Sequence, residues 1–149
     1  MLSRKAKYGL KAVIHLAEAY GRSPVLISTL AAEQRIPQKF LEQILLELKK
    51  QGVLRSKSGK GGGYSLSRSP HDVTFGQVIR SLDGALGEYW ADESGGTSFE
   101  TADLTDRAIA MVMTDVRNAV SSVLDHITIQ TALQRSRNAA LESADAYQI

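Results

Sequence analysis

Gln38-Lys39-Phe40-Leu41-Glu42-Gln43-Ile44-Leu45-Leu46-Glu47-Leu48-Lys49-Lys50-Gln51-Gly52 runs straight into Val53-Leu54-Arg55-Ser56-Lys57-Ser58-Gly59-Lys60-Gly61-Gly62-Gly63-Tyr64-Ser65-Leu66. In the first of these runs Phe40, Leu41, Ile44, Leu45 and Leu48 recur at spacings of three and four, which predicts a helix over residues 38–51 with one buried face. Gly52 suits its C-terminal stop. The opposite face carries Gln38, Lys39, Glu42, Gln43, Lys49 and Lys50. The second run alternates, so residues 53–56 and 64–67 read as short strands. Between them four glycines and two lysines make a flexible basic tip.

Just before this stretch a shorter helix is expected, with Ser28 as its N-cap and Leu30 and Ala31 facing inward. Gln34-Arg35-Ile36 makes a tight turn, and Pro37 suits the entry to the next helix. Two short helices joined by a tight turn, the second polar on its outer face, are a helix-turn-helix. Followed directly by a basic hairpin, they are a winged helix, with one helix for the major groove and a tip for adjacent phosphates or the minor groove. A phosphate-binding P-loop would need its glycines between a strand and a helix, with a closing Gly-Lys-Ser/Thr, and neither holds here. A plain flexible turn needs the glycines alone; Lys57, Lys60 and the position after the helix favour DNA.

A first helix is expected over residues 2–20, with Ala6, Leu10, Val13, Ile14 and Ala17 in one stripe, ended by Gly21-Arg22-Ser23-Pro24. After the hairpin, Thr74 is set to cap a helix whose Phe75, Val78, Ile79 and Leu82 face inward. Residues 83–102, with Gly84, Gly87, Gly95, Gly96 and scattered acids, read as a long loop, unusual in a compact domain unless it binds or flexes. A long helix follows over residues 102–127. Its Ile109, Val112, Val116, Ala119 or Val120, Val123 and Ile127 approximate a heptad seam. One small head cannot cover that much apolar surface, so a second copy is the expected partner, with part of the stripe packing on the first helix. The tail after Leu133 reads as a short helix with frayed ends. The expected architecture is thus mainly α with a small β-wing: a winged helix-turn-helix head over residues 1–82, a sensor or linker loop over 83–102, and a dimerisation helix with its tail over 103–149.

Charge divides the chain in the same place. Residues 1–70 hold 13 Lys and Arg against 4 Asp and Glu, a balance of +9, whereas residues 71–149 hold 5 against 12, a balance of −7. A basic head on an acidic body attracts phosphates to one end and repels them from the other. With 43% hydrophobic and 23% charged residues the composition is that of an ordinary globular protein. No apolar run approaches the roughly 20 residues of a membrane span, and the start lacks the sections of a signal peptide, so a cytoplasmic location is expected. There is no cysteine, which excludes disulfides, thiol nucleophiles and thiolate-bound metal.

Leu2-Ser3, Tyr8-Gly9-Leu10, Ile36-Pro37-Gln38-Lys39-Phe40-Leu41-Glu42-Gln43-Ile44-Leu45, Gly52-Val53-Leu54, Gly61-Gly62-Gly63-Tyr64-Ser65-Leu66 and Leu124-Asp125-His126-Ile127-Thr128 together resemble the Rrf2 family of bacterial transcription regulators. Its members include an iron–sulfur cluster regulator, a nitric-oxide-sensing repressor and a cysteine-metabolism repressor. The resemblance covers nearly the whole chain and implies a winged-helix head and a dimer crossed through the long helices. Two departures stand out. Cluster-binding members carry three cysteines in the loop that here reads Tyr89 to Asp103; this chain has Asp92, Glu93, Ser94, Thr97 and Ser98 there. These hard oxygen donors cannot replace thiolates on an iron–sulfur cluster, so no such cofactor is expected. His15, His71 and His126 show no metal-binding spacing, and scattered loop acids are usually solvated, so no metal is expected either. Secondly, members commonly have arginine where Ser58 stands; Lys57 and Lys60 supply charge there, without an arginine's directional fork.

The expected partner is double-stranded DNA. Gln38, Glu42 and Gln43 would approach base edges, since glutamine pairs with adenine and glutamate accepts from cytosine. Lys39, Lys57, Lys60, Arg4, Lys5 and Lys7 would neutralise phosphates, with Ser28 and Tyr64 as further contacts. A homodimer would then read a palindrome and act as a repressor by excluding polymerase. Tyr89 and Trp90 have two readings: an aromatic wall for a small-molecule or protein effector, or two rings packed beneath the loop. A protein-interaction scaffold without DNA binding is the alternative function, against which the +9 of the head argues. No constellation supplies a nucleophile with a matched base, so the chain is not expected to be an enzyme.

Overall fold

The computed structural model describes residues 2–84 and 103–148. Helix α1 (Arg4–Glu18) is capped by Ser3, whose Oγ accepts from Ala6 N at 2.9 Å. Of the expected stripe Ala6, Leu10, Val13 and Ala17 are buried and Ile14 is half-buried, and Ala12 and Leu16 join the buried face. Gly9 belongs to that face for a different reason. A Cβ there would collide with Leu82 Cδ1, so glycine lets α1 lie close against the helix that carries Leu82.

Helices α2 (Ile27–Gln34) and α3 (Gln38–Lys50) follow, joined by a turn in which Arg35 adopts a left-handed conformation (φ 55°, ψ 48°). Ile36 N donates to Ala31 O at 3.0 Å and buries its side chain, which closes the turn. Ser28 is not the N-cap of α2. The cap position is Leu26, without a side-chain hydrogen bond, and Ser28 lies exposed in the first turn. The entry to α2 is held by backbone pairing instead: Val25 and Tyr64 exchange bonds of 2.9 and 2.8 Å.

Strands β1 (Leu54–Lys57) and β2 (Gly63–Leu66) are antiparallel, and Leu54 faces Leu66. Each strand lies one residue from its expected place. Val53 N still donates to Leu48 O at 2.9 Å, so Val53 belongs to the end of α3, and buried Leu54 takes the first strand position. A 3₁₀ turn (Pro70–Asp72) leads to α4 (Phe75–Asp83), which Thr74 caps as expected through Gln77 N at 3.1 Å. Val78, Ile79 and Leu82 are buried and Phe75 is half-buried.

The long helix is α5 (Leu104–His126), capped by Asp103. The expectation of a short frayed tail is corrected, for α6 (Ile129–Ala146) is an 18-residue helix capped by Thr128. Its first turns explain why it forms. Ile129 and Leu133 are buried in the same core as Ala6, Leu16 and Leu41, and helix propensity carries the alanine-rich remainder onward. That core also holds α2, α3, α4 and both strands, so most of the chain shares one apolar interior with α1. Ile129→Ala and Leu133→Ala should each lower the unfolding free energy by about 2–5 kcal/mol, read as a shifted urea midpoint at unchanged slope.

Candidate DNA interface

Helix α3 is the centre of the site. Leu41, Ile44, Leu45 and Leu48 are fully buried, so Gln38, Lys39, Glu42, Gln43, Lys49 and Lys50 are turned outward, and all six are exposed. Lys49 and Lys50 also lie in the last turn, where cations suit the negative end of the helix. Leu46 stands exposed among these polar groups. Its exposure has a signal in the sequence that the polar face alone does not carry, since Ile44-Leu45-Leu46 holds one apolar residue more than a single helical stripe can bury.

Neighbouring elements fix the attitude of α3. Lys5 Nζ lies 2.8 Å from Glu47 Oε1 and 2.7 Å from Oε2, so α1 grips the inner flank of α3. This engages Lys5 in the fold, while Arg4 and Lys7 of the same turn are exposed. Between α1 and α2, Lys11 Nζ donates to Gln34 O at 2.7 Å. His15 bridges Gln34 (Nδ1, 2.9 Å) and Glu33 (Nε2, 3.0 Å), an arrangement that one neutral tautomer satisfies.

The wing has a firm stem and an open tip. Gly63 has φ 143°, and a Cβ on it would collide with Val25 O, so only glycine allows β2 to pair with both β1 and Val25. Gly62 is confined likewise by Lys57 O. Lys57 and Lys60 are exposed around this turn. Tyr64 is half-buried, with its ring packed against the core. Arg55 and Arg68 flank the stem as further exposed cations, and Arg55 Nε donates to Ser65 Oγ at 3.3 Å. Their position on the strand edges gave no separate signal in the sequence.

Helix α5 has no buried residue. At ~100° per residue, half-buried Arg117, Val120, Ser121 and Leu124 share one side, and α5 meets α4. Ile109, Val112, Val116 and Val123 lie about 100° round the helix and are 58%, 60%, 38% and 57% exposed. The six expected seam residues are therefore divided: these four are open, whereas Val120 and Ile127 are half-buried. Tyr89 and Trp90 lie outside the described residues, as do Asp92, Glu93, Ser94, Thr97 and Ser98.

Comparison with known proteins agrees with this arrangement. The Rrf2 family model, described as an iron-dependent transcriptional regulator, matches residues 2–135. This chain belongs to the Rrf2 family. An rrf2-like HTH-type transcriptional regulator of Rhodobacter capsulatus is 44% identical over 89 residues, 58% of this chain and 59% of that protein. The HTH-type transcriptional regulator CymR of Bacillus subtilis is 30% identical over 129 residues, 87% of this chain and 86% of that one. Its solved structure, described as that of the global cysteine regulator, superposes with a TM-score of 0.74 over 91% of this chain and 97% of that one, at 29% identity. The IscR structure of T. potens gives 0.75 over 93% and 90%, at 30% identity.

The Rrf2 chain is accordingly a DNA-binding transcription regulator and not an enzyme. The description of its family raises iron, and the donor set answers for a thiolate-held cluster: with no cysteine, these residues do not fit one. Among the described residues no three His, Asp or Glu side chains come together as a metal site. None of the described helices is long and apolar enough to cross a membrane.

The stem of the wing gives a direct test of the site's construction. Gly63→Ala should break the Val25–Tyr64 pairing and cost about 1–3 kcal/mol of stability. Amide hydrogen exchange should then show Val25 and Tyr64 losing protection before the helical core does.

Proposed function

We propose that this Rrf2 regulator is a homodimeric repressor that reads a palindromic promoter site and works without an iron–sulfur cluster. The observation that carries the reading is the pairing of two surfaces: an outward polar face on α3 beside a basic wing, and an open apolar face on α5. The first suits a groove lined by phosphates. The second suits another copy of itself, because an apolar row at helical spacing is stabilised by burial against an equivalent row. The proposed division of labour is residues 1–82 for DNA, 83–102 as sensor or linker, and 103–149 for assembly, with Ile129 and Leu133 of the last segment also anchored in the core of the head, in the cytoplasm where promoters are.

Gln38, Glu42 and Gln43 supply hydrogen-bonding groups for base edges, and Leu46 supplies an apolar contact suited to a thymine methyl. Lys39, Lys57, Lys60, Arg4 and Lys7 neutralise phosphates, joined by Ser28 at the start of α2. Lys5 contributes while paired with Glu47, and Tyr64 through the exposed part of its ring. Dimer symmetry sets the half-sites about one turn, ~10 bp, apart. A bound dimer excludes polymerase. A small-molecule or protein effector acting at Tyr89 and Trp90 would shift the angle between the heads; Trp90→Ala with every induction response intact would remove that role.

Selection of genomic fragments by the purified protein should enrich a palindrome, and its affinity should fall steeply as salt rises. Lys57→Ala and Lys60→Ala should each reduce the slope of log affinity against log salt by about 1 per lost phosphate contact and leave sequence preference unchanged. No enrichment at low salt would sink the reading in favour of a protein-binding scaffold.

A further inference from the structure

The corner between α5 and α6 is joined to the head through backbone. Phe75 N donates to Ile127 O at 2.9 Å, Ile129 N donates to Val73 O at 2.8 Å, and Thr74 bridges Thr128. Such a corner fixes where α5 starts from the head, but not the direction it takes. From there α5 extends for 23 residues, about 35 Å, and buries none of them. Its direction is governed by its last turns, where it meets α4.

There Asp125 faces Arg80. Nη1 donates to Oδ1 at 2.6 Å and Nη2 to Oδ2 at 2.9 Å, a two-bond fork with a defined orientation. The guanidinium hydrogen bonds hold the Asp125 carboxyl below its ordinary pKa and raise that of Arg80. Gly76 lies one helical turn before Arg80 on the same side of α4. A Cβ there would collide with Asp125 Oδ1 and stand 3.0 Å from Arg80 Nη1. The carboxylate therefore sits in a notch that exists because residue 76 has no side chain.

Both members of the pair are partly exposed, at 38% and 42%, and pairs of that kind add little to folding stability. Geometry gives this one a different importance. It acts at the short end of a long arm, where a tilt of ~10° would carry the far end of α5 by ~6 Å. That exceeds the ~3.4 Å rise of one base pair.

We propose that Arg80, Asp125 and Gly76 form a positioning latch that sets the angle of α5 to the head, and with it the separation at which two heads can read DNA. The inference rests on the dimer reading above. It concerns positioning residues, none of them among the DNA contacts proposed above.

Asp125→Ala and Gly76→Ala break the latch from opposite sides, one by removing the carboxylate and the other by wedging it out. Each places the best helix former in a helix, and the wedge meets only the flexible ends of two side chains. Binding is measured on the selected palindrome, on versions with one base pair added or removed between half-sites, and on an isolated half-site. Wild type should lose about tenfold or more on altered spacings, and each variant should flatten that discrimination to within about threefold, within the usual range of coupling between sites. Sedimentation mass, Tm and half-site affinity should stay at wild-type values. The double variant should match the single ones, because both act on one tie. A dimeric variant with wild-type spacing discrimination overturns the latch, as do additive losses in the double variant or a Tm that falls in both single variants. A wild-type protein that sediments as a monomer, or selects no palindrome, overturns the dimer reading and the latch with it.

Discussion

The close approach of α1 to α4 at Gly9 and Leu82 is the contact on which the head depends. With no side chain at residue 9, the buried stripe of α1 can meet α4 on one flank and α2, α3 and α6 on the others. Once Leu41, Ile44, Leu45 and Leu48 are drawn to that stripe, the polar side of α3 has nowhere to go but outward. The outward polar face is thus what remains of α3 after the core is satisfied. Its orientation is inherited from apolar packing, and Lys5–Glu47 with the His15 network trims it.

Under the proposed function, affinity and selectivity draw on different parts of this surface. Cations are spread over the ends of α1 and α3, the hairpin and its flanks, where long-range attraction does not require exact placement. The outer face of α3, by contrast, combines Gln38, Glu42, Gln43 and Leu46, whose interactions are short-ranged and demand a fixed backbone. A firm stem beneath an open hairpin tip repeats the pattern. Pairing of Val25, β2 and β1 holds the base of the wing, and its end stands exposed.

Local chemistry made most of the fold legible. Apolar spacing marked α1, α3, α4 and α5, and Thr74 was read correctly as a cap because its hydrogen bond reaches only three residues ahead. Errors arose where distant parts of the chain decide local form. Ser28 has the right chemistry for a cap, yet Val25 pairs with Tyr64, 39 positions later, and that sets where α2 begins. The strand limits shifted because Val53 completes the end of α3. Helix α6 looked short because its alanines and polar residues show no continuous stripe, and its anchor in the core of the head has no local signature. Within the site, the outward face of α3 was legible from periodicity, whereas the engagement of Lys5 by Glu47 was not, since a salt bridge between distant residues leaves no spacing pattern.

The burial of Ile129 and Leu133 beside residues of α1 also bears on how the protein is made. During synthesis the N-terminal helices emerge first, but the cavity they surround stays open until residue 133 has cleared the ribosome. Contacts that span so much sequence carry a large loop-closure cost and form late. By then α5, with its open apolar row, has emerged too. The α5 row is therefore already in the open when the head closes, so the last step of building the core takes place beside an exposed apolar surface.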